Sequence, residues 1–245
     1  KSTKDNIYHS QRMNYENKYF LDQEWKDVCF MHWEVDMKII ASLIPKNLNI
    51  DLFENKAYIG VIPFKMQNVS PRWAFPLPFI SSFPEFNIRT YVKYKNKRGV
   101  YFFTLDAQSI ITCIYAPVAF GLPYHYSIGK VKRQGNRYYW RSRRISNKSK
   151  LEGSCEAFGQ ESTAKPNSIE YFFLERYTLF TKHRGVLKRA HIHHKPWVFQ
   201  QATPKISSNS FIDGFGFDIS NAFKPAYCHI SKGTKVKAWS LEVVN

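Results

Sequence analysis

Three polar side chains share one face of a predicted strand and could together hold a small charged molecule. The segment FNIRTYV alternates between polar and apolar residues, so Asn87, Arg89 and Tyr91 lie on the same face. An arginine inside a cavity presents a planar fork that suits a carboxylate or a phosphate, and a neighbouring amide and hydroxyl would orient the bound molecule. The alternative is a structural ion pair of Arg89 with Glu85 or Glu175.

A tyrosine and a histidine follow a Gly-Leu-Pro turn and form the second candidate group. Histidine titrates near neutral pH, so His125 is a candidate general acid or base, and Tyr124 is a neighbouring hydrogen-bonding group. A hydrogen-bonded structural role is the alternative for His125. The predicted ligand-binding residues are therefore Asn87, Arg89, Tyr91, Tyr124 and His125.

The other histidines, cysteines and glycines predict no cofactor site. His191 and His193 share a strand face, but no nearby acid or cysteine completes a recognised metal-ligand spacing. The chain has neither a G-x-S-x-G nucleophile motif nor a complete glycine-rich phosphate loop. No CxxC pair is present, so reduced and mostly buried thiols are expected. The four cysteines are Cys29, Cys113, Cys155 and Cys228.

Length and composition favour one ordered domain. Of the 245 residues 44% are hydrophobic and 17% aromatic, which is enough for a sizeable core and excludes disorder of most of the chain. Without a linker to divide it, the chain is predicted to have a polar N-terminal tail at 1–21 and a single domain at 22–245. No stretch reads as a membrane span or a signal peptide, so a cytoplasmic location is expected.

Strand patterns dominate the chain, and three short helices interrupt them. Ile110, Ile111 and Ile114 have the spacing of a buried helical stripe, with Asp106 as the predicted N-cap. A further helix is predicted from Ser168 to Arg176. Long-range strands with a few helices indicate an α+β or closed-barrel domain.

A strongly basic hairpin is the second feature that could bind a partner. The formal net charge is +17, and nine lysines and arginines lie within positions 130–150. Such a patch could bind nucleic acid, or it could be a solvated face. Because Tyr138 and Trp140 are predicted to face inward, they could not stack on bases, and only weak, non-specific binding is expected.

Seven motifs in consistent order resemble the bacterial YqjF-like family of uncharacterised proteins. They lie between about Trp25 and Val243 and read FMHWEVD, YIGVIPF, FPEFNIRTYV, GVYFFTLD, FGLPYHY, ERY and IHHKPW. The resemblance implies a fold related to the acetoacetate decarboxylase superfamily, a β-barrel that holds a small-molecule cavity. The predicted fold class is therefore α+β, β-barrel-dominated and acetoacetate-decarboxylase-like, with a few short helices.

The segment GLPYH marks a departure from that superfamily. The decarboxylases carry G-x-P-K-K after a helix, and one lysine of the pair forms a Schiff base with a keto acid. Here Tyr124 and His125 stand at the lysine positions, and tyrosine cannot form an imine. The decarboxylase glutamate aligns loosely with Asn87, which would remove a charged group as well.

Together these observations predict a protein that binds a small anionic or carbonyl-containing molecule in a β-barrel cavity, without a Schiff-base lysine. One alternative is an enzyme, a lyase or a hydratase, that uses His125 as acid or base. Another is a nucleic-acid-binding module that uses the hairpin at 130–150. The sequence leaves open whether a reaction is catalysed and which oligomer forms.

Overall fold

The computed structural model describes residues 19–77 and 81–244. Most of the predicted tail at 1–21 therefore lies outside the described residues, and the first strand begins at Leu21. The strands of the described chain are β1 (Leu21–Val35), β2 (Asn49–Ile50), β3 (Ala57–Pro71), β4 (Phe83–Tyr94), β5 (Lys97–Ala107), β6 (Tyr124–Gln134), β7 (Arg137–Arg144), β8 (Lys150–Thr163), β9 (Thr178–His183), β10 (Val186–His194), β11 (Val198–Asn209), β12 (Tyr227–Ala238) and β13 (Glu242–Val243). The helices of the described chain are α1 (Met37–Leu43), α2 (Ile110–Phe120) and α3 (Ile169–Leu174), with a 3-10 turn at Ser210–Ile212.

All of these strands join one sheet that closes on itself. Their order is β13-β10-β9-β5-β6-β7-β8-β11-β12-β1-β3-β4-β2, and the further pairings β5–β4 and β10–β12 make the sheet ring-like. Neighbours are antiparallel except that β5 runs parallel to β6 and to β9. A parallel pair needs a crossover, and α2 supplies the one between β5 and β6. The described chain is thus mostly β-sheet with a few short helices, as predicted.

Two hydrophobic cores lie on opposite faces of β4, because side chains alternate along a strand. Phe86 and Ile88 pack into the core that contains Trp140, here called the Trp140 core. Tyr91 points the other way into the core that contains Trp197, here called the Trp197 core. Side chains on one face of β4 can therefore contact residues of the Trp140 core or of the Trp197 core, but not of both.

Helix α2 differs from the prediction in its cap and in its buried face. Its N-cap is Ser109, whose hydroxyl accepts a hydrogen bond from the Thr112 amide at 3.2 Å. Asp106 instead lies inside β5, where its carboxylate pairs with Arg144 at 2.5 Å. The side-chain oxygen of Asp106 is therefore engaged across the sheet, and the nearer serine caps the helix.

The predicted apolar stripe of α2 is exposed. Ile110, Ile111 and Ile114 are 62%, 57% and 66% exposed, and Ala116 is the buried residue of the helix. The sequence IITCIYAPVAF is apolar on nearly every side, so its periodicity cannot select the face that packs on the sheet. No helix within the described ranges is long and apolar enough to cross a bilayer.

The basic hairpin is formed by β6 and β7, as predicted. The two strands pair from Ser127–Arg144 to Gln134–Arg137, around a turn in which Gly135 has a φ of 60°. Along β7 exposed and buried residues alternate, so that Arg141 and Arg143 are exposed while Trp140 is buried. The positive charge of β7 therefore lies mainly on its solvent face.

Candidate functional site

Four polar side chains of β4 form a row on the face of the strand that meets the Trp197 core. They are Glu85, Asn87, Arg89 and Tyr91, and none is more than 7% exposed. Alternate residues of a strand are about 7 Å apart, so the row extends over roughly 20 Å. A row of buried polar groups needs specific partners, because desolvating them without hydrogen bonds is unfavourable.

At one end of the row Glu85 and Tyr124 form a hydrogen-bonded pair. The Tyr124 hydroxyl donates to Glu85 Oε2 at 2.8 Å. Burial raises the pKa of Glu85 to about 7, although hydrogen bonds from Tyr124 and Asn87 act in the opposite direction. A carboxyl group with this pKa can both take up and release a proton near neutral pH.

At the centre of the row Arg89 has no acidic partner in the part of the chain that the structure describes. Its Nη2 donates to the Phe173 carbonyl oxygen at 3.1 Å, and its guanidinium lies over the rings of Phe30 and Tyr91 at 5.8 and 5.7 Å. Within the described residues no carboxylate lies at ion-pair distance from Arg89. Among the residues at 19–77 and 81–244, the groups in contact with this guanidinium are therefore neutral.

The two carboxylates that the sequence offered as ion-pair partners of Arg89 accept hydrogen bonds from other groups. Glu85 accepts from Tyr124, and Glu175 accepts from the Trp197 amide at 2.9 Å. The structural ion pair that the sequence allowed is therefore not formed.

At the far end of the row Tyr91 meets a buried histidine from β1. Tyr91 Oη and His32 Nε2 are 2.6 Å apart, and the imidazole stacks on the Phe173 ring with centroids 3.7 Å apart. Burial, and next the positive charge of Arg89, lower the pKa of His32 well below its ordinary value. His32 is therefore a neutral hydrogen-bonding group. Gly60 of β3 makes room for it, since an added Cβ would lie 3.1 Å from His32 Nε2.

The row on β4, together with Tyr124 and His32, is here called the polar cluster. Three buried polar atoms of the polar cluster have no hydrogen-bond partner among the described residues. They are His32 Nδ1, Asn87 Oδ1 and Arg89 Nε. Such atoms are few in folded proteins, and each calls for an explanation. Their concentration around one arginine indicates a place that suits a further polar molecule.

His125 lies apart from the other four predicted site residues. It follows Tyr124 on β6 and so points to the opposite face of the strand, towards the Asp106–Arg144 pair. Burial and the charge of Arg144 lower the pKa of His125, while Asp106 raises it. The expectation that His125 shares a pocket with Tyr124 is therefore not met, because adjacent strand residues diverge.

The cluster is closed over by α3 and neighbouring aromatic rings. The Phe172 ring lies 4.9 Å from the Tyr91 ring, and the Phe173 carbonyl contacts Arg89. Two surface depressions, of about 220 and 290 Å³, lie elsewhere, beside Lys65 and beside Ile212. A molecule that reaches Arg89 would have to displace part of this cover.

Two members of the cluster were not singled out by the sequence as site residues. Glu85 was available from the alternation that selected Asn87 and Arg89, because it occupies the same face two positions earlier. His32 had no such signal, since it is 59 residues away from Tyr91 in the chain. Only the pairing of β1 with β3, and of β3 with β4, brings these two together.

Comparison with known proteins identifies a family model and a relative that match most of the chain. The DUF2071 family model, described as "Uncharacterized conserved protein (COG2071)", matches residues 22–235. Uncharacterized protein YqjF of Bacillus subtilis (strain 168) is 35% identical over 224 residues, which cover 91% of this chain and 92% of the relative.

Solved structures with a similar fold are more distant in sequence. An acetoacetate decarboxylase from Legionella pneumophila has a TM-score of 0.67 at 9% identity, covering 94% of this chain and 90% of that chain. The enduracididine biosynthesis enzyme MppR complexed with pyruvate has a TM-score of 0.65 at 12% identity, covering 92% and 90%. At these identities the likeness shows a common fold alone. The chain thus belongs to the DUF2071 family, together with YqjF, and has the acetoacetate decarboxylase-like fold.

Proposed function

We propose that this protein binds a small molecule carrying a carboxylate beside a carbonyl group, and that Arg89 binds the carboxylate. The observation that carries the proposal is a guanidinium that is 7% exposed and has no acidic partner among the described residues. An unpaired buried charge is unfavourable by several kcal/mol, and an anionic ligand would offset this. Charge-assisted hydrogen bonds from a planar guanidinium suit a carboxylate.

The neighbours of Arg89 support a ligand with a second polar group. Asn87 and Tyr91 flank Arg89 on the same strand face and supply neutral hydrogen-bonding groups of the kind that orient a small molecule. The structurally similar MppR was solved with pyruvate, a 2-oxo acid, which supports this ligand class.

If the bound molecule reacts, Glu85 is the residue we expect to move the proton. With a pKa of about 7, the Glu85 carboxylate could take a proton from the carbon next to the ligand carbonyl and return it later, with the carbonyl oxygen carrying the charge in between. Tyr124 and Asn87 are the neighbouring donors that could stabilise that oxygen. We favour Glu85 over His125 because His125 points to the other side of β6. The cluster contains no lysine, so the proposal involves no imine.

Replacing Arg89 by methionine tests the binding proposal. We expect pyruvate or acetoacetate to raise the melting temperature of the wild-type protein, because a ligand at 100 times its dissociation constant adds about 2.7 kcal/mol to the free energy of unfolding. Arg89→Met should keep or raise the melting temperature without ligand and lose the response to it. Arg141→Met, which removes one exposed arginine of β7, is the matched control and should respond like the wild type.

Two results would contradict the proposal. One is an absence of stabilisation by either acid in the wild type. The other is a loss of about 3–5 kcal/mol in the ligand-free Arg89→Met protein, which would reveal a structural partner of the arginine. Exchange of the pyruvate methyl protons with deuterium, followed by NMR, then tests the role of Glu85. We expect Glu85→Gln to bind pyruvate without exchanging its protons.

A further inference from the structure

Three cysteines that are remote in the chain meet in the Trp140 core. Cys29 of β1 is 126 residues from Cys155 of β8 and 199 residues from Cys228 of β12. The Sγ atoms of Cys155 and Cys29 are 3.4 Å apart, those of Cys29 and Cys228 are 3.8 Å apart, and all three lie within 4.8 Å of one another. All three residues are buried. The spacing of cysteines in the sequence gave no sign of this group.

The separations of the three sulfur atoms match those around a bound metal ion. The point equidistant from three atoms so spaced lies roughly 2.1–2.4 Å from each, and a metal–thiolate bond is about 2.3 Å long. The atoms are too far apart for a disulfide, whose sulfurs are about 2.05 Å apart. β12 pairs with β1, and β11 joins β12 to β8, so the three residues lie in one hydrogen-bonded sheet and little rearrangement is needed to hold an ion at that point.

The donor set is composed of sulfur. The neighbouring histidine, His229, points to the opposite face of β12, where its ring packs on Phe199 and its Nε2 lies 3.8 Å from Glu170. In the part of the chain that the structure describes, no histidine or carboxylate joins the three thiols as a ligand. Met31 faces Cys228 across the β1–β12 ladder and shares the Trp140 core, so the surroundings add another soft group.

We propose that Cys29, Cys155 and Cys228 form a binding site for one Cu(I) ion. Soft thiolate ligands select Cu(I) or Zn(II), and structural zinc sites are almost always four-coordinate. Three sulfurs without a nitrogen or oxygen ligand therefore favour Cu(I). One Cu(I) ion brings one positive charge, and each thiol that binds as a thiolate releases one proton to solvent, so the occupied site is neutral with one thiolate and carries a charge of −2 with three.

Anaerobic competition with a Cu(I) chelator tests the site in the full-length reduced protein. We expect one tightly held Cu(I) per chain, with three sulfur neighbours by X-ray absorption, and weaker binding of Zn(II) measured against a zinc chelator. Cys29→Ala and Cys228→Ala should each weaken Cu(I) binding about 100-fold or more, since removing even a supporting group of a metal site weakens binding 10–100-fold. Cys113→Ala is the matched control, because Cys113 lies apart on α2, and it should bind as the wild type does.

The wild-type measurement alone can overturn the proposal, even if a core variant fails to fold. No Cu(I) retained against the chelator would show that the three thiols only pack as small apolar groups. Tighter binding of Zn(II) than of Cu(I), or loss of two hydrogens from the mass of the aerobic protein through a disulfide among these cysteines, would also contradict it. The site is independent of Arg89, so Arg89→Met should still bind Cu(I).

Discussion

At the scale of single residues, Glu85 and Tyr124 form an acid pair whose behaviour follows from burial. A carboxylate inside the Trp197 core loses its hydration, and the hydrogen bonds from Tyr124 and Asn87 do not replace it. The pKa of Glu85 is therefore about 7 in the folded protein, compared with an ordinary value of 4.5. Perturbed carboxyl groups beside a neutral hydrogen-bonding network are frequent in functional sites.

This pKa shift predicts how stability changes with pH. The folded state holds the Glu85 proton more tightly than the unfolded state, so its contribution to stability is complete below pH 4.5, falls as the pH rises towards 7, and is level above that. The difference in unfolding free energy between the wild type and Glu85→Gln should therefore fall by about 3 kcal/mol over this range. Denaturant unfolding of both proteins at matched pH values measures it, and the other titrating groups cancel in the difference.

A flat difference between the two proteins would mean that Glu85 titrates normally. In that case the carboxyl group would be hydrated in solution, and the proposed proton transfer would lose its physical basis. Tyr124→Phe provides a second check. It removes a donor to the carboxylate, so it should raise the pKa of Glu85 further and shift the fall in stability to higher pH.

At the scale of elements, α3 holds the cover over the polar cluster, and a buried ion pair anchors it. Arg176 follows α3, donates to the Phe172 carbonyl at 2.6 Å and pairs with Asp51 at 2.6 Å. Asp51 is 1% exposed and lies just after β2. The pair therefore fixes the end of α3 whose Phe173 carbonyl contacts Arg89.

Removing Asp51 should destabilise the protein strongly. Asp51→Ala leaves the Arg176 guanidinium buried and unpaired, so we expect a loss of about 3–5 kcal/mol in the free energy of unfolding. Glu156→Ala, which breaks the exposed pair with Arg137, is the control and should have a much smaller effect. Urea unfolding measures both, and equal losses for the two variants would show that Arg176 is not desolvated.

The sequence predicted those elements whose structure is determined by residues that are close together in the chain. The alternation of β4 and the hairpin around Gly135 are local patterns, and both predictions were confirmed. The buried face of α2 is set by the sheet beneath it, and the uniformly apolar sequence could not reveal that Ile114 is exposed.

The same limit applies to the candidate site. Its β4 residues follow from period-two alternation, but the contact between His32 and Tyr91 and the opposite orientation of His125 depend on strand register. Register between distant strands is set by the whole closed sheet, which a single sequence does not display. The three cysteines of the Trp140 core were hidden for the same reason.

At the scale of the whole molecule, the formal net charge of +17 creates a field that attracts polyanions. The hairpin contributes exposed Arg137, Arg141 and Arg143 on one face of β7, whereas Tyr138 and Trp140 are buried. The exposed aromatic residue on this face of β7 is Tyr139, a ring that can stack on any base without reading its identity, while the arginines contact phosphates. This arrangement favours attraction without selectivity.

We therefore expect weak binding to nucleic acid that ignores sequence and depends steeply on salt. The dissociation constant at physiological salt should be no tighter than about micromolar, the range of non-specific binding. Changing both Arg141 and Arg143 to Glu should weaken binding and lower the slope of log affinity against log salt by about two, because each lost phosphate contact contributes nearly one unit. The control is the double change Lys38→Glu and Lys46→Glu, which lowers the net charge by the same amount. Lys38 is an exposed residue of α1 and Lys46 is an exposed residue just after it, so this control should leave most of the salt dependence of binding intact. Fluorescence anisotropy with single-stranded RNA and duplex DNA of two unrelated sequences measures all three proteins. Sub-micromolar binding that distinguishes the sequences would show instead that the hairpin is a specific nucleic-acid site.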